Sequence, residues 1–91
     1  METLEVDFNS MGVEGVRLSC NGTLKEIEKK AIVLYDGLKL LVWERDEYDD
    51  GSIDKLSVEA IVKYSKIDKC WVGQFDTNDI KLESKNKKPN Q

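Results

Sequence analysis

The sequence predicts a mainly β protein: a small antiparallel meander curled into an SH3-like barrel, with an OB-like barrel as second choice, and one short helical turn. Three observations carry that expectation. Apolar and polar residues alternate in several short runs, the period of a strand with one buried face. Gly, Asp and Asn separate those runs at close spacing. A chain of 91 residues has room for one core, so its sheet is expected to bend over its own apolar face.

The runs follow in order. "TLEVDF" (Thr3 to Phe8) sets Leu4, Val6 and Phe8 against Glu5 and Asp7, and "GVRLSC" (Gly15 to Cys20) sets Val16, Leu18 and Cys20 on one face. "NGTLKEIEKK" is ambiguous. Thr23 and Glu26 have capping-box spacing, and Glu26 with Lys30 forms a favourable i,i+4 pair, which together predict a helical turn from Leu24 to about Lys30. A strand ending in a Lys29-Lys30 turn is the rival reading. "AIVLY-DG-LKLLVWE" then gives two β-rich runs around Asp36-Gly37, the pattern of a type I′ hairpin. Its second run is apolar on both parities, with Leu38, Leu40 and Val42 on one and Leu41 and Trp43 on the other. Such a strand is either covered on both faces or offers its outer face to a partner.

"KLSVEAIVKY" alternates cleanly except for Ile61, and "KCWVGQF" is a further strand. "DTND" reads as a tight or 3₁₀ turn before a short last strand, "IKL". Residues 1–82 are expected to form the single domain. The tail 83–91, "ESKNKKPNQ", has nothing apolar to bury and is expected to be disordered.

"NGTLKEIEKKAIVLYDGLKLLVW", the acidic "DEYDDGSIDKLSVEAIVKY" and the closing "CWVGQFDTNDI" resemble a family of short bacterial proteins of unassigned function. The likeness covers about Cys20 to Ile80. It implies a small compact fold in a bacterial cytosol and brings no catalytic residues with it. Ala60 stands where that pattern commonly has a glycine.

Charge is concentrated. Residues Glu44 to Asp54 hold six carboxylates against Arg45, a local charge of −5 in a chain whose net charge is −4. The remainder sits near neutrality, which argues against phosphate-backbone binding, so no nucleic-acid partner is expected. The start lacks a basic and apolar leader, and no apolar run reaches the roughly 18–20 residues of a membrane span. A cytoplasmic location, no membrane partner and reduced Cys20 and Cys70 are therefore expected.

The acidic stretch has one reading as a cation site. An EF-hand-like frame with Gly51 at its glycine position sets Asp46, Asp50 and Asp54 at ligand positions, but it puts Tyr48 and Ser57 where oxygen-rich ligands belong. A looser cage of Asp46, Asp49, Asp50 and Asp54 gives the alternative function, a weak calcium- or cation-responsive binder. The plainer reading is a solvated connection turned by Asp50-Gly51-Ser52.

No enzyme and no cofactor are expected. Cys70 has no histidine to act as its base, and an open loop gives Asp49 and Asp50 no shelter for acid–base work. Trp71 is expected to be packing, whereas Trp43 suits packing and recognition equally. The leading expectation is a non-catalytic protein-interaction module, bound to an unknown protein partner or to a second copy of itself. Its expected surface is Leu41, Trp43, Tyr48 and Ile61.

Overall fold

The computed structural model describes residues 1–83, so the tail expected over 83–91 lies outside the described residues except for Glu83. The elements run β1 (Thr3–Glu5), β2 (Val16–Arg17), α1 (Asn21–Lys30), β3 (Lys39–Glu47), β4 (Ile53–Ser65), β5 (Cys70–Gln74), a 3₁₀ turn (Thr77–Asp79) and β6 (Lys81–Leu82). They build one six-stranded sheet in the order β1-β3-β4-β5-β2, with β6 also laid on β4.

The centre of the sheet is the β3–β4 hairpin. Its antiparallel ladder is unbroken from Lys39 opposite Ile61 to Glu47 opposite Ile53. Alternation explains the faces. Leu40 and Val42 on β3 and Val58, Ala60 and Val62 on β4 point to one side, where they join Leu4, Val6, Val16 and Leu18 in a single buried cluster. Burying each such Val or Leu side chain stabilises the fold by about 1.5–3 kcal/mol relative to exposure. Close approach inside the cluster demands small residues. A Cβ added to Gly73 would stand 3.2 Å from the Cβ of Ala60, so Ala60 is about as large a residue as this contact takes.

The sheet is not a barrel, and this corrects the SH3-like and OB-like expectation. Closure requires the two edge strands to pair with each other, and here both edges end on other structure. Beyond β2, Val16 bridges to Met11, and the Arg17 N–H donates to the Ser10 carbonyl at 2.9 Å. Beyond β1, helix α1 takes up the free backbone groups. The Thr23 hydroxyl donates to the Glu5 carbonyl at 2.8 Å, the Glu26 carboxylate accepts the Glu5 N–H at 2.8 Å, and Lys30 donates to the Thr3 carbonyl at 2.8 Å. With its edges satisfied in this way the sheet stays open.

Those bonds also settle the ambiguous segment as a ten-residue helix. Thr23 and Glu26 do not form the expected capping box; both bond the neighbouring strand, while Glu26 also keeps its i,i+4 pair with Lys30. Cys20 occupies the N-cap position without a side-chain bond, and Ala31 ends the helix in the left-handed region at φ 55°.

Two more expectations fail. The meander is not wholly antiparallel, because β1 lies parallel to β3, with Leu4 opposite Val42. The expected hairpin around Asp36-Gly37 does not form either: residues 31–35 pair with no strand, and β1 takes the edge of β3 at Leu41–Trp43. The run keeps its alternation all the same: Ile32 and Leu34 pack on the core while Val33 and Tyr35 face outward. A turn is present, but it is not type I′, because Gly37 takes positive φ (96°) and Asp36 does not, and it lies alongside β4. The Gly37 N–H donates to the Val62 carbonyl at 2.8 Å, and the Asp36 carboxylate accepts the Tyr64 N–H at 2.8 Å. Among the described residues no helix is long and apolar enough to cross a membrane.

Candidate functional site

The face of β3 and β4 turned away from the core carries the second parity: Lys39, Leu41, Trp43 and Arg45 beside Lys55, Ser57, Glu59 and Ile61. Among the described residues no second sheet is laid over it, and α1 stands only at its margin. Leu41 and Trp43 are nonetheless only half exposed, because they floor a groove of about 320 Å³ walled by Thr3, Glu26, Lys30, Lys55, Ser57 and Glu83. The Lys55 ammonium sits 4.7 Å from the centre of the Trp43 ring, a cation–π contact that fixes one face of the indole. Lys30 is held by Glu26 at 2.6 Å, which makes that wall a closed ion pair.

A second depression of about 310 Å³ adjoins the first and shares Leu41 and Ser57 with it. A third, again of about 310 Å³, shares Glu59 and Asp79 with the second and is lined by Ile61, Gln74 and Asp76. Ile61 is 48% exposed, large for an isoleucine on a central strand. Three of the four expected surface residues, Leu41, Trp43 and Ile61, therefore share this face. Tyr48 does not; it stands in the β3–β4 turn, at the far end of the ribbon.

Sequence reading missed the rim. Lys55, Ser57 and Glu59 could have been found from alternation alone, since they share parity with Ile61. Glu26 and Lys30 could not, because only the packing of α1 on β1 brings them there. The 3₁₀ residues Asp76 and Asp79 likewise arrive through tertiary structure.

The acidic stretch is mostly strand. Glu44, Asp46 and Glu47 end β3, Asp54 lies near the start of β4, and residues 48–52 make the turn. Asp46 and Asp54 are opposite one another in register. Asp54 is buried, accepts the Lys55 N–H at 2.8 Å, and lies 3.4 Å from the Tyr48 hydroxyl. Asp50 bends onto Ser52, accepting its hydroxyl at 2.6 Å and its N–H at 2.9 Å; these bonds hold the Asp50 carboxyl below its ordinary value. Asp49 is exposed on the turn. Among the described residues no group of three or more His, Cys, Asp or Glu side chains is placed to hold a metal ion.

Partial burial pushes the Tyr48 hydroxyl upward, helped by the charges of Asp54, Asp46 and Asp50. Glu44 shares the core-side parity of Val42. Burial raises its carboxyl, against the Phe8 N–H that it accepts at 3.2 Å and with the nearby Asp7 and Asp46 charges adding to the rise.

A second polar cluster joins two loops at the other end of the sheet. The Asp68 carboxylate, almost wholly buried, accepts the Val13 N–H at 3.2 Å and the Glu14 N–H at 3.3 Å, and it lies 3.6 Å from Arg17. The Ser65 hydroxyl, fully buried, donates to Glu14 at 2.8 Å and accepts the Asp68 N–H at 3.0 Å. Lys63 pairs with the same Glu14. Each polar group here has a protein partner, so the cluster acts as a tie between loops.

Trp71 packs on the core and meets Tyr64 edge-on at 5.3 Å, so it holds the fold together. Cys20 and Cys70 are free and half-buried. Compared with known proteins, the chain matches no family model, no curated protein and no solved structure.

Proposed function

We propose that this protein is a non-catalytic interaction module whose working surface is the outer face of β3 and β4. What supports the reading is one observation above all: Leu41 and Trp43 form the floor of a groove on a sheet face over which, among the described residues, no other strand or helix is laid. Aromatic side chains set in a partly desolvated groove are the kind of anchor on which binding energy concentrates. Ile61 extends the apolar area along the same face. The occupant proposed is a segment of another protein, and a second copy of the chain is the competing occupant.

The test is site-specific crosslinking in the cells that carry the protein. A photoreactive residue replaces Ile61 or Ser57 on the proposed face, or Val33 as a control on the far side of the core. Adducts from positions 57 and 61 and none from position 33 are expected. An adduct of twice the 10.4 kDa chain mass would identify the second copy. Equal labelling at all three positions, or labelling from position 33 alone, contradicts the proposal.

A further inference from the structure

Resting on that docking face, we propose that it takes an extended peptide segment carrying an apolar anchor and, about four residues away, a lysine or arginine. The three depressions share lining residues in succession, so they form one continuous trough beside β4, from Lys55 at one end to Ile61 at the other. Six strand steps at about 3.3 Å each give a length near 20 Å, that of an extended segment of about six or seven residues.

The two ends differ in charge. At the Trp43 end, Lys30 and Lys55 are offset by Glu26 and Glu83, and Lys30 is already engaged by Glu26. This end is apolar in floor and neutral in rim, and it suits an aliphatic or aromatic side chain. Toward the Ile61 end, Asp76, Asp79 and Glu59 stand against two lysines, Lys39 beside Ile61 and Lys81 in the adjoining depression, which leaves that end net acidic. Among the described residues none of those three carboxylates forms an ion pair. A cationic side chain arriving there would gain attraction without displacing an existing partner, and rim charges of this kind set partner choice and approach rate. The spacing follows from the strand. Ser57, beside the anchor groove, and Ile61 are four residues apart, about 13 Å, so anchor and cation are expected to be separated by a similar number of residues.

The experiment pans a random twelve-residue peptide library against the intact protein. Enriched peptides are then titrated by fluorescence polarisation against three proteins: the unaltered chain, Leu41→Thr/Trp43→Thr, and Glu59→Gln/Asp76→Asn/Asp79→Asn. Asn at position 76 preserves the turn, because Asp76 accepts the Asn78 N–H and Asn caps equally well. Enriched sequences are expected to place Lys or Arg three to five positions from an apolar residue. They should bind the charge-neutralised variant about tenfold more weakly and lose binding to the Leu41/Trp43 variant.

Peptides that depend on Leu41 and Trp43 but show no basic preference would overturn this inference and leave the docking face standing. Peptides that bind the Leu41/Trp43 variant unchanged, or no enrichment at all, would overturn both.

Discussion

Asp68 shows how much one side chain does in a chain this small. Its carboxylate ties the Val13–Glu14 loop to the β4–β5 turn, and a Cβ at Gly12 would run into the same carboxylate and push it off these bonds. Burial pushes the Asp68 carboxyl upward, but the Val13 and Glu14 N–H groups, the Ser65 hydroxyl and Arg17 outweigh it and hold it below its ordinary 3.8. Glu14 is likewise held below its ordinary 4.5, by Lys63 and then by Ser65. Lowered folded values mean that the stabilisation is complete above 3.8 and 4.5 and is lost as pH falls through the lower folded values. Asp68→Asn should therefore lower the melting temperature at pH 7, and the gap to the unaltered protein should narrow below pH 3.8; thermal unfolding across that range measures it.

Glu44 has the opposite sign. Its raised carboxyl opposes folding above its ordinary 4.5, and the opposition disappears as pH falls and the group is protonated. Glu44→Gln keeps an acceptor for the Phe8 N–H and removes the charge. It should raise the melting temperature at neutral pH, with the gain fading toward pH 4. A gain that persists unchanged at low pH would point to packing instead of charge.

At the scale of elements, the pairing of α1 with β1 is the feature that organises the rest. A three-residue strand at a sheet edge is weak by itself, and the Thr23 and Glu26 side chains satisfy the backbone of its last residue, Glu5. Thr23→Val keeps the shape and leaves the Glu5 carbonyl without this donor. A cost of about 1–2 kcal/mol is expected, or roughly 5–10 °C in melting temperature for a domain of this size. Hydrogen exchange should also quicken at Leu41, whose N–H donates to the Glu2 carbonyl beside β1, before it quickens in β4.

This element also marks the limit of what the sequence reveals. The strands were legible wherever alternation meets a single buried face, as in "KLSVEAIVKY", and so was the position of the turn at Asp36-Gly37, though not its type or the hairpin. Partners were not. Alternation in "TLEVDF" gives the buried side of β1 but not the direction of its neighbour, so the parallel pairing with β3 stayed hidden. "AIVLY" has the composition of a strand and forms no ladder, while the edge of β3 at Leu41–Trp43 belongs to β1.

At the scale of the molecule, an open sheet and a closed barrel differ in what they leave outside. In a barrel the second parity of β3 would face solvent all round a compact body. Here it lines a trough between α1 and the 3₁₀ turn, so the double apolar character of "LKLLVW" is split: Leu40 and Val42 build the core, and Leu41 and Trp43 floor the groove. That division was half legible. The sequence marked Leu41, Trp43 and Ile61 as a surface, while the walls that turn it into a trough come from elements far away in the chain. Tyr48 was expected on the same surface, but the ribbon of β3 and β4 carries it into the acidic turn at its far end.

The separation of core from docking face is tested most directly by urea unfolding of Leu41→Thr/Trp43→Thr beside Leu40→Ala. Threonine retains β-branching, so strand propensity is kept and mainly the outer-face apolar surface is removed. The double variant is expected to lose no more than about 2 kcal/mol, whereas Leu40→Ala alone should lose about 2–5 kcal/mol. A double variant that unfolds more readily than Leu40→Ala would mean that Leu41 and Trp43 belong to the core, and the docking face would not exist.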